Sequence, residues 1–238
     1  MKRNRMELFN FKSMMEYNKQ TLEDHYQVLR SQTKWAELYF YQKTDVLYQL
    51  TFIFTKQHLQ LYGDRTVDQM VQAARSGKQN IVEGSEDGMT SMEMEIKLLN
   101  VARSSIHELR EDYEDFLKSR GLPLWDKSHP RYDRMLQFCR HHNRWEDYEK
   151  LAAKMNAEEM ANTALTLCHM VDKMMISYQK KLEKEFVTEG GIKERMTAAR
   201  LGYKTNQQQE IARLKAELAL AQRKIAELEA ELKIARGG

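Results

Sequence analysis

Residues 90–119 read TSMEMEIKLLNVARSSIHELREDYEDFLKS, and the fold is decided by this stretch. Met92, Ile96, Leu99, Ala102, Ile106, Leu109, Tyr113 and Phe116 recur at intervals of three or four, the spacing that lines one face of an α-helix. Thr90, with Glu93 three residues on, predicts a capping box in which the hydroxyl accepts a first-turn amide and the carboxylate returns to the Thr90 amide. The helix it opens runs to about Ser119.

Working outward, a helix over Thr66 to Glu83 carries Val67, Met70, Val71, Ala74 and Ile81, with Gly84 supplying the left-handed residue that closes it. The segment Ser85 to Gly88 reads as a loop. An earlier helix is expected from Trp35 to Leu61 on the stripe Leu38, Tyr39, Leu47, Leu50, Phe54 and Leu61, ended by Tyr62 and Gly63. On the other side, Gly121, Pro123 and Pro130 punctuate the chain around Trp125, and a short helix follows from Tyr132 to His141. Asn156 with Glu159 is a second capping signature, and the helix behind it carries Met160, Ala164, Leu167, Val171, Met174, Tyr178 and Leu182. Gly190 and Gly191 separate it from a helix with Ile192, Met196 and Ala199. Gly202 and the run Asn206 to Gln209 are then a polar joint or a continuation of that helix.

The organisation expected is all-α: an antiparallel four-helix bundle with extra short helices and a C-terminal coiled-coil helix. Residues 1–34, polar and speckled with Phe9, Phe11, Met14, Met15, Tyr17 and Tyr26, form a helical or irregular extension that docks rather than builds core. Residues 35–190 are the bundle, with an inserted short helix near 131–142. Residues 191–205 are a linker helix and 206–238 the coiled coil.

The coiled coil is read from heptads. Ile211, Leu218, Ile225 and Leu232 hold one core position, and Leu214, Ala221, Leu228 and Ala235 the other. In a parallel pairing Glu210 faces Lys215, Lys224 faces Glu229 and Glu231 faces Arg236 of the neighbouring chain, so every charged pair attracts. Each exposed pair contributes only a few tenths of a kcal/mol, roughly, but together they favour a parallel, in-register homo-oligomer over an antiparallel fold-back.

Composition narrows the function classes. The 238 residues include only two prolines and ten glycines, which suits long helices. Charged residues make up 31% of the chain, yet the formal net charge is only +3, so a whole-protein basic footprint for nucleic acid is absent. Met1, Lys2, Arg3 and Arg5 are followed by no apolar core of a secretory signal. No apolar run approaches the roughly 20 residues that cross a bilayer. With Cys139 and Cys168 as the only cysteines, a reducing, cytoplasmic setting without membrane contact is expected.

The run Gln72-Ala73-Ala74-Arg75-Ser76, then Asn80-Ile81-Val82-Glu83-Gly84, then Glu93 through Ser105 with Glu108-Leu109, resembles the bacterial four-helix-bundle proteins encoded in intervening sequences of large-subunit ribosomal RNA. Within them it looks like the longer branch of four-helix-bundle suffix-domain proteins, over Trp35 to Tyr203. Where short members have Ser-Ile-Pro-Ser before Asn-Ile-Ala-Glu-Gly, this chain has Ser76-Gly77-Lys78-Gln79, so functions tied to that turn do not carry over. The short members are similar to the accessory variability determinant of diversity-generating retroelements, a basic pentameric barrel that engages a reverse transcriptase and its RNA. The resemblance implies a ring-like homo-oligomer, a pentamer, with RNA and a reverse transcriptase as partners, and no enzymatic activity or cofactor.

Five cations, Arg75, Lys78, Lys97, Arg103 and Arg110, are the candidate nucleic-acid contacts. Arg103 and Arg110 are seven apart and share a helix face. Repeated around a ring axis, such a face gives sequence-independent, salt-sensitive phosphate contacts. Against this, Glu108, Glu111 and Asp112 are interleaved and can neutralise the same arginines. Two functions follow: a non-enzymatic scaffold binding RNA through a symmetric basic surface, or a protein-interaction adaptor that displays a docking surface and never touches nucleic acid. Glu83 beside Gly84, near Asn80 and Arg75, reads as helix-end hydrogen bonding rather than a polar site. Cys139, His141, His142, Cys168 and His169 lack zinc spacing, because consecutive helix residues diverge by about 100 degrees and cannot all face one ion. The methionines, Met170, Met174 and Met175 among them, fill core gaps or form an adaptable partner surface.

Overall fold

The computed structural model of the chain describes residues 28–31, 33–59 and 65–236, the side chain of Ala235 excepted. The aromatic-speckled stretch 1–27, Leu61 to Gly63 and the Ala235 core position lie outside the described residues. The described residues are helical with no strand: α1 Tyr39–His58, α2 Arg65–Asp87, α3 Met92–Ser119, α4 Tyr132–His141, α5 Trp145–Ala152, α6 Ala157–Glu189 and α7 Ile192–Arg236. The chain divides into two units, residues 29–191 and a second that contains α7.

In the first unit each long helix touches two others, α1 against α2 and α6, and α3 against α2 and α6. Apolar residues of all four, including Leu47, Phe54, Met70, Ile81, Ile106, Leu109, Leu167 and Met175, share one core. Directions are read from paired positions. Gly77 meets Ile106 and Gly84 meets Leu98, so α2 and α3 run antiparallel. Gln179 reaches Asn100 while Arg103 reaches Asp172, so α3 and α6 do too.

Trp35–Glu37, expected to begin the first helix, is a separate 3-10 turn, and α1 starts at Tyr39. Its buried threonines are satisfied locally, Thr44 donating to the Phe40 carbonyl and Thr51 to the Leu47 carbonyl, each at 2.7 Å. The helix stops at His58, short of Leu61, where Leu59 turns to extended backbone.

Gly84 does not close α2. It lies inside the helix, which continues through Ser85 to Asp87. Its role is close approach: a Cβ there would meet the Leu98 Cβ at 3.2 Å, as one at Gly77 would meet Ile106 Cδ1 at 2.8 Å. The stretch Ser76-Gly77-Lys78-Gln79 is likewise helix, not turn. Among the described residues the left-handed glycines are Gly121 and Gly190, and Gly190 ends α6.

The cap of α3 is displaced by one residue from the expected box. Ser91, not Thr90, is the N-cap and accepts the Met94 amide at 3.1 Å, while the Thr90 hydroxyl donates back to the Asp87 carbonyl. Thr90 belongs to the turn after α2 and so is one residue too early to cap. The second signature holds as read: Asn156 Oδ1 accepts the Glu159 amide at 2.9 Å and Glu159 returns to the Asn156 amide at 3.0 Å.

Helix α5 was not expected. It packs on α1, and its buried Tyr148 sits edge-on to Phe138 of α4 at 5.0 Å and donates to the His142 carbonyl at 3.1 Å. In the second unit, α7 is one continuous 45-residue helix, so Gly202 and Asn206 to Gln209 continue it rather than joint it.

Candidate functional site

Most of the five candidate cations are engaged within the chain. Lys78 donates to Asp45 of α1 at 2.5 Å, and this pairing outweighs the lowering effect of burial and raises its ammonium pKa. Lys97 pairs with Glu93 at 2.7 Å on the exposed face of α3. Arg103 is turned toward α6, bonding Asp172 at 2.8 Å and Gln179 at 3.2 Å. Burial works to raise the Asp172 carboxyl, but Arg103 and His107 overcome it and hold the group below the usual range. Arg110 approaches Glu114 at 3.5 Å. Arg75 is exposed on α2 and forms no ion pair among the described residues. The structure therefore does not gather the five on one face: Lys78 faces α1, and Arg103 faces α6.

Glu108, Glu111 and Asp112 form no ion pair with Arg103 or Arg110, whose carboxylate partners are Asp172 and Glu114; instead the acids crowd one another. Partial burial, with Asp115, Glu108 and Glu111 nearby, raises the Asp112 carboxyl to about 6.

A buried charge cluster anchors the start of the unit. Arg30 donates to Glu95 at 2.9 Å and Glu185 at 2.7 Å, and the Tyr178 hydroxyl donates to Glu95 at 2.9 Å. Glu95 is fully buried, and burial pushes its carboxyl up against the opposing pull of Tyr178 and Arg30. A side chain at Gly88 would run into that carboxylate. The clue in the sequence was a carboxylate three residues after Met92 and four before Leu99, on the apolar stripe of α3.

Cys139 and Cys168 are buried, unpaired thiols, the former pushed up to about 11 by burial. His141 and His142 bond carbonyls of their own helix, and no group of His, Cys, Asp and Glu among the described residues is placed to hold a metal ion. Glu83 accepts from Gln79 at 3.1 Å, and Asn80 donates to the Ser76 carbonyl at 2.9 Å, local helix bonds both.

A cleft of about 540 Å³ opens between α4, α6 and the loop before α4. Its walls are held by specific bonds. Asn162 accepts the Trp125 amide at 2.7 Å and donates to the Pro123 carbonyl at 3.0 Å, fixing the loop. Buried Lys43 of α1 donates to the carbonyls of Cys139 and His142, at the C-terminus of α4 where the helix dipole is negative. Tyr132, Leu136 and Arg140 face the cleft from α4, and Leu165, His169, Met170, Lys173 and Met174 from α6. Lys127, Arg140 and Lys173 are exposed and form no ion pair among the described residues. Tyr132, Leu136 and Arg140 are spaced by four and so share a face of α4, but the helix beside that face was not readable in the sequence.

On α7, described by itself, Ile211, Leu214, Leu218, Ile225, Leu228 and Leu232 are 48–59% exposed. Every side chain from Gln207 to Ile234 is exposed. No helix among the described residues is long and apolar enough to cross a membrane. Compared with family models, curated proteins and solved structures, the chain matches none. Its function has to be argued from geometry.

Proposed function

We propose that this protein is a non-enzymatic homo-oligomeric scaffold: residues 39–189 form an antiparallel four-helix bundle, and α7 coils in parallel with α7 of other copies. The observation that carries the reading is the row of six half-exposed aliphatic side chains along a 45-residue helix. Fully burying such a side chain is worth about 1.5–3 kcal/mol, so covering half of each of six contributes several kcal/mol per chain, roughly. No residue of α7 is among the buried core residues. The resemblance read from residues 72–109 of the sequence favours assembly, and the copy number proposed from it is five.

The test is a Leu218→Cys variant under mild oxidation. In a parallel, in-register coil the new thiols face each other and a disulfide-linked pair forms; in an antiparallel arrangement they do not. Absence of the linked species, with the helix content intact, would sink the reading. Cys139 and Cys168 are buried and give little background.

A second reading, RNA binding through the symmetric cation set, is favoured by the exposed Arg75 and Lys97 side chains. A gel shift with single-stranded RNA at two salt concentrations checks it. Binding that weakens with salt and with Arg75→Glu/Lys97→Glu supports it, and no shift at low salt removes it.

A further inference from the structure

We propose that the cleft between α4 and α6 docks an amphipathic helix with acidic flanks, supplied by a partner protein. This deepens the scaffold reading by giving each assembled copy something to hold.

The floor is aliphatic and thioether, with Leu136, Leu165, Met170 and Met174 as its main surface, and Met repacks to fit varied side chains. From Leu165 to Met174 the α6 wall runs about 14 Å at 1.5 Å per residue. That matches the reach of anchors placed at i, i+3 or i+4, and i+7 on a docked helix, about 10 Å.

Charge selects the partner. The charged lining is mostly cationic: Lys127, Arg140 and Lys173 stand exposed around one cleft and form no ion pair among the described residues. The one carboxylate lining the cleft, Asp126, is turned to the amide and hydroxyl of Ser128, at 2.8 and 2.6 Å. A partner bringing Asp or Glu beside its apolar face completes these three.

Nucleic acid fits less well. Base stacking needs an open aromatic face, and the Trp125 ring is covered by His129, stacked at 4.3 Å, and by Arg131 at 4.8 Å. Apart from Tyr132 and His169, the remaining apolar lining is aliphatic and thioether.

The experiment measures fluorescence anisotropy of three labelled probes with the 238-residue chain: a synthetic amphipathic helix of leucine and glutamate, its counterpart with lysine for glutamate, and an oligouridylate. The acidic helix should bind in the micromolar range, the lysine helix should not, and Arg140→Glu/Lys173→Glu should weaken binding about tenfold or more. Arg75→Glu/Lys97→Glu should leave it unchanged. Both pairs are exposed, so helix content and melting verify the fold, and Met170→Glu supplies an independent block of the floor. Three outcomes overturn the proposal: no binding of the acidic helix, binding indifferent to the Arg140 and Lys173 reversal because the probe coils with α7, or oligouridylate binding there in place of the helix. Leu218→Cys cross-linking reports assembly separately, so failure of one reading is distinguishable from failure of the other.

Discussion

Helices α3 and α7 are both long and both carry a repeating apolar row, yet α3 buries Leu99, Ile106, Leu109 and Tyr113 completely while α7 leaves its row from Ile211 to Leu232 about half exposed. The difference lies in what surrounds the stripe. On α3, small residues of a neighbour, Ala73, Ala74, Gly77 and Gly84, let a second helix close down, and threonine and tyrosine hydroxyls such as the Tyr113–Thr51 bond at 3.0 Å fill the polar gaps. On α7, Glu and Lys flank a strict seven-residue repeat, which is the pattern for meeting another helix of the same kind. One stripe encodes a core the chain completes itself; the other, on the function proposed above, is a core that further copies complete.

The sharpest way to break this contrast is truncation at matched positions. Leu109→Ala is expected to cost about 2–5 kcal/mol in urea unfolding, because it empties a closed core. Leu218→Ala should leave that transition in place and instead make the mass more dependent on concentration. Next in size, Arg30→Met strands the buried Glu95 carboxylate and should cost about 3 kcal/mol by the same unfolding measurement, with the residues around Arg30 exchanging amide protons faster. Ser91→Ala removes the true cap of α3 and should cost about 1 kcal/mol, whereas Thr90→Ala should cost less, reversing the order expected from the sequence.

The smallest effect is electrostatic. The Asp112 carboxyl is raised from its ordinary 3.8 to about 6. Between those values the folded chain keeps a proton that the unfolded chain releases, so stability falls as pH rises through the window. Asp112→Asn should abolish that fall and gain about 1 kcal/mol at neutral pH once solvent screening is allowed for. Equal pH profiles for the two proteins in thermal melts would remove Asp112 as its source.

The sequence was most legible where periodicity and capping agreed. The stripe of residues 92–116 and the Asn156–Glu159 box fall where expected, because each is set by contacts within a few residues. Gly84 and Thr90 were misread for a shared reason: a glycine that ends a helix and one that admits a neighbour look alike in one dimension, and moving the helix end to Asp87 moves the cap to Ser91. The candidate site was less legible still. Arg75, Lys78, Lys97, Arg103 and Arg110 were grouped by spacing, but Asp45, which takes Lys78, and Asp172, which takes Arg103, are distant in sequence. The cations at the α4–α6 cleft were visible only once the two helices were side by side.

The most direct measurement is sedimentation equilibrium of the 238-residue chain against an Ile211→Asp/Leu218→Asp/Ile225→Asp variant. The wild-type chain should sediment as a discrete oligomer, and the variant as a monomer of 28.2 kDa or less tightly associated species with the unfolding transition of residues 29–191 unchanged. A wild-type monomer, or an oligomer that survives the three aspartates intact, would contradict assembly through α7.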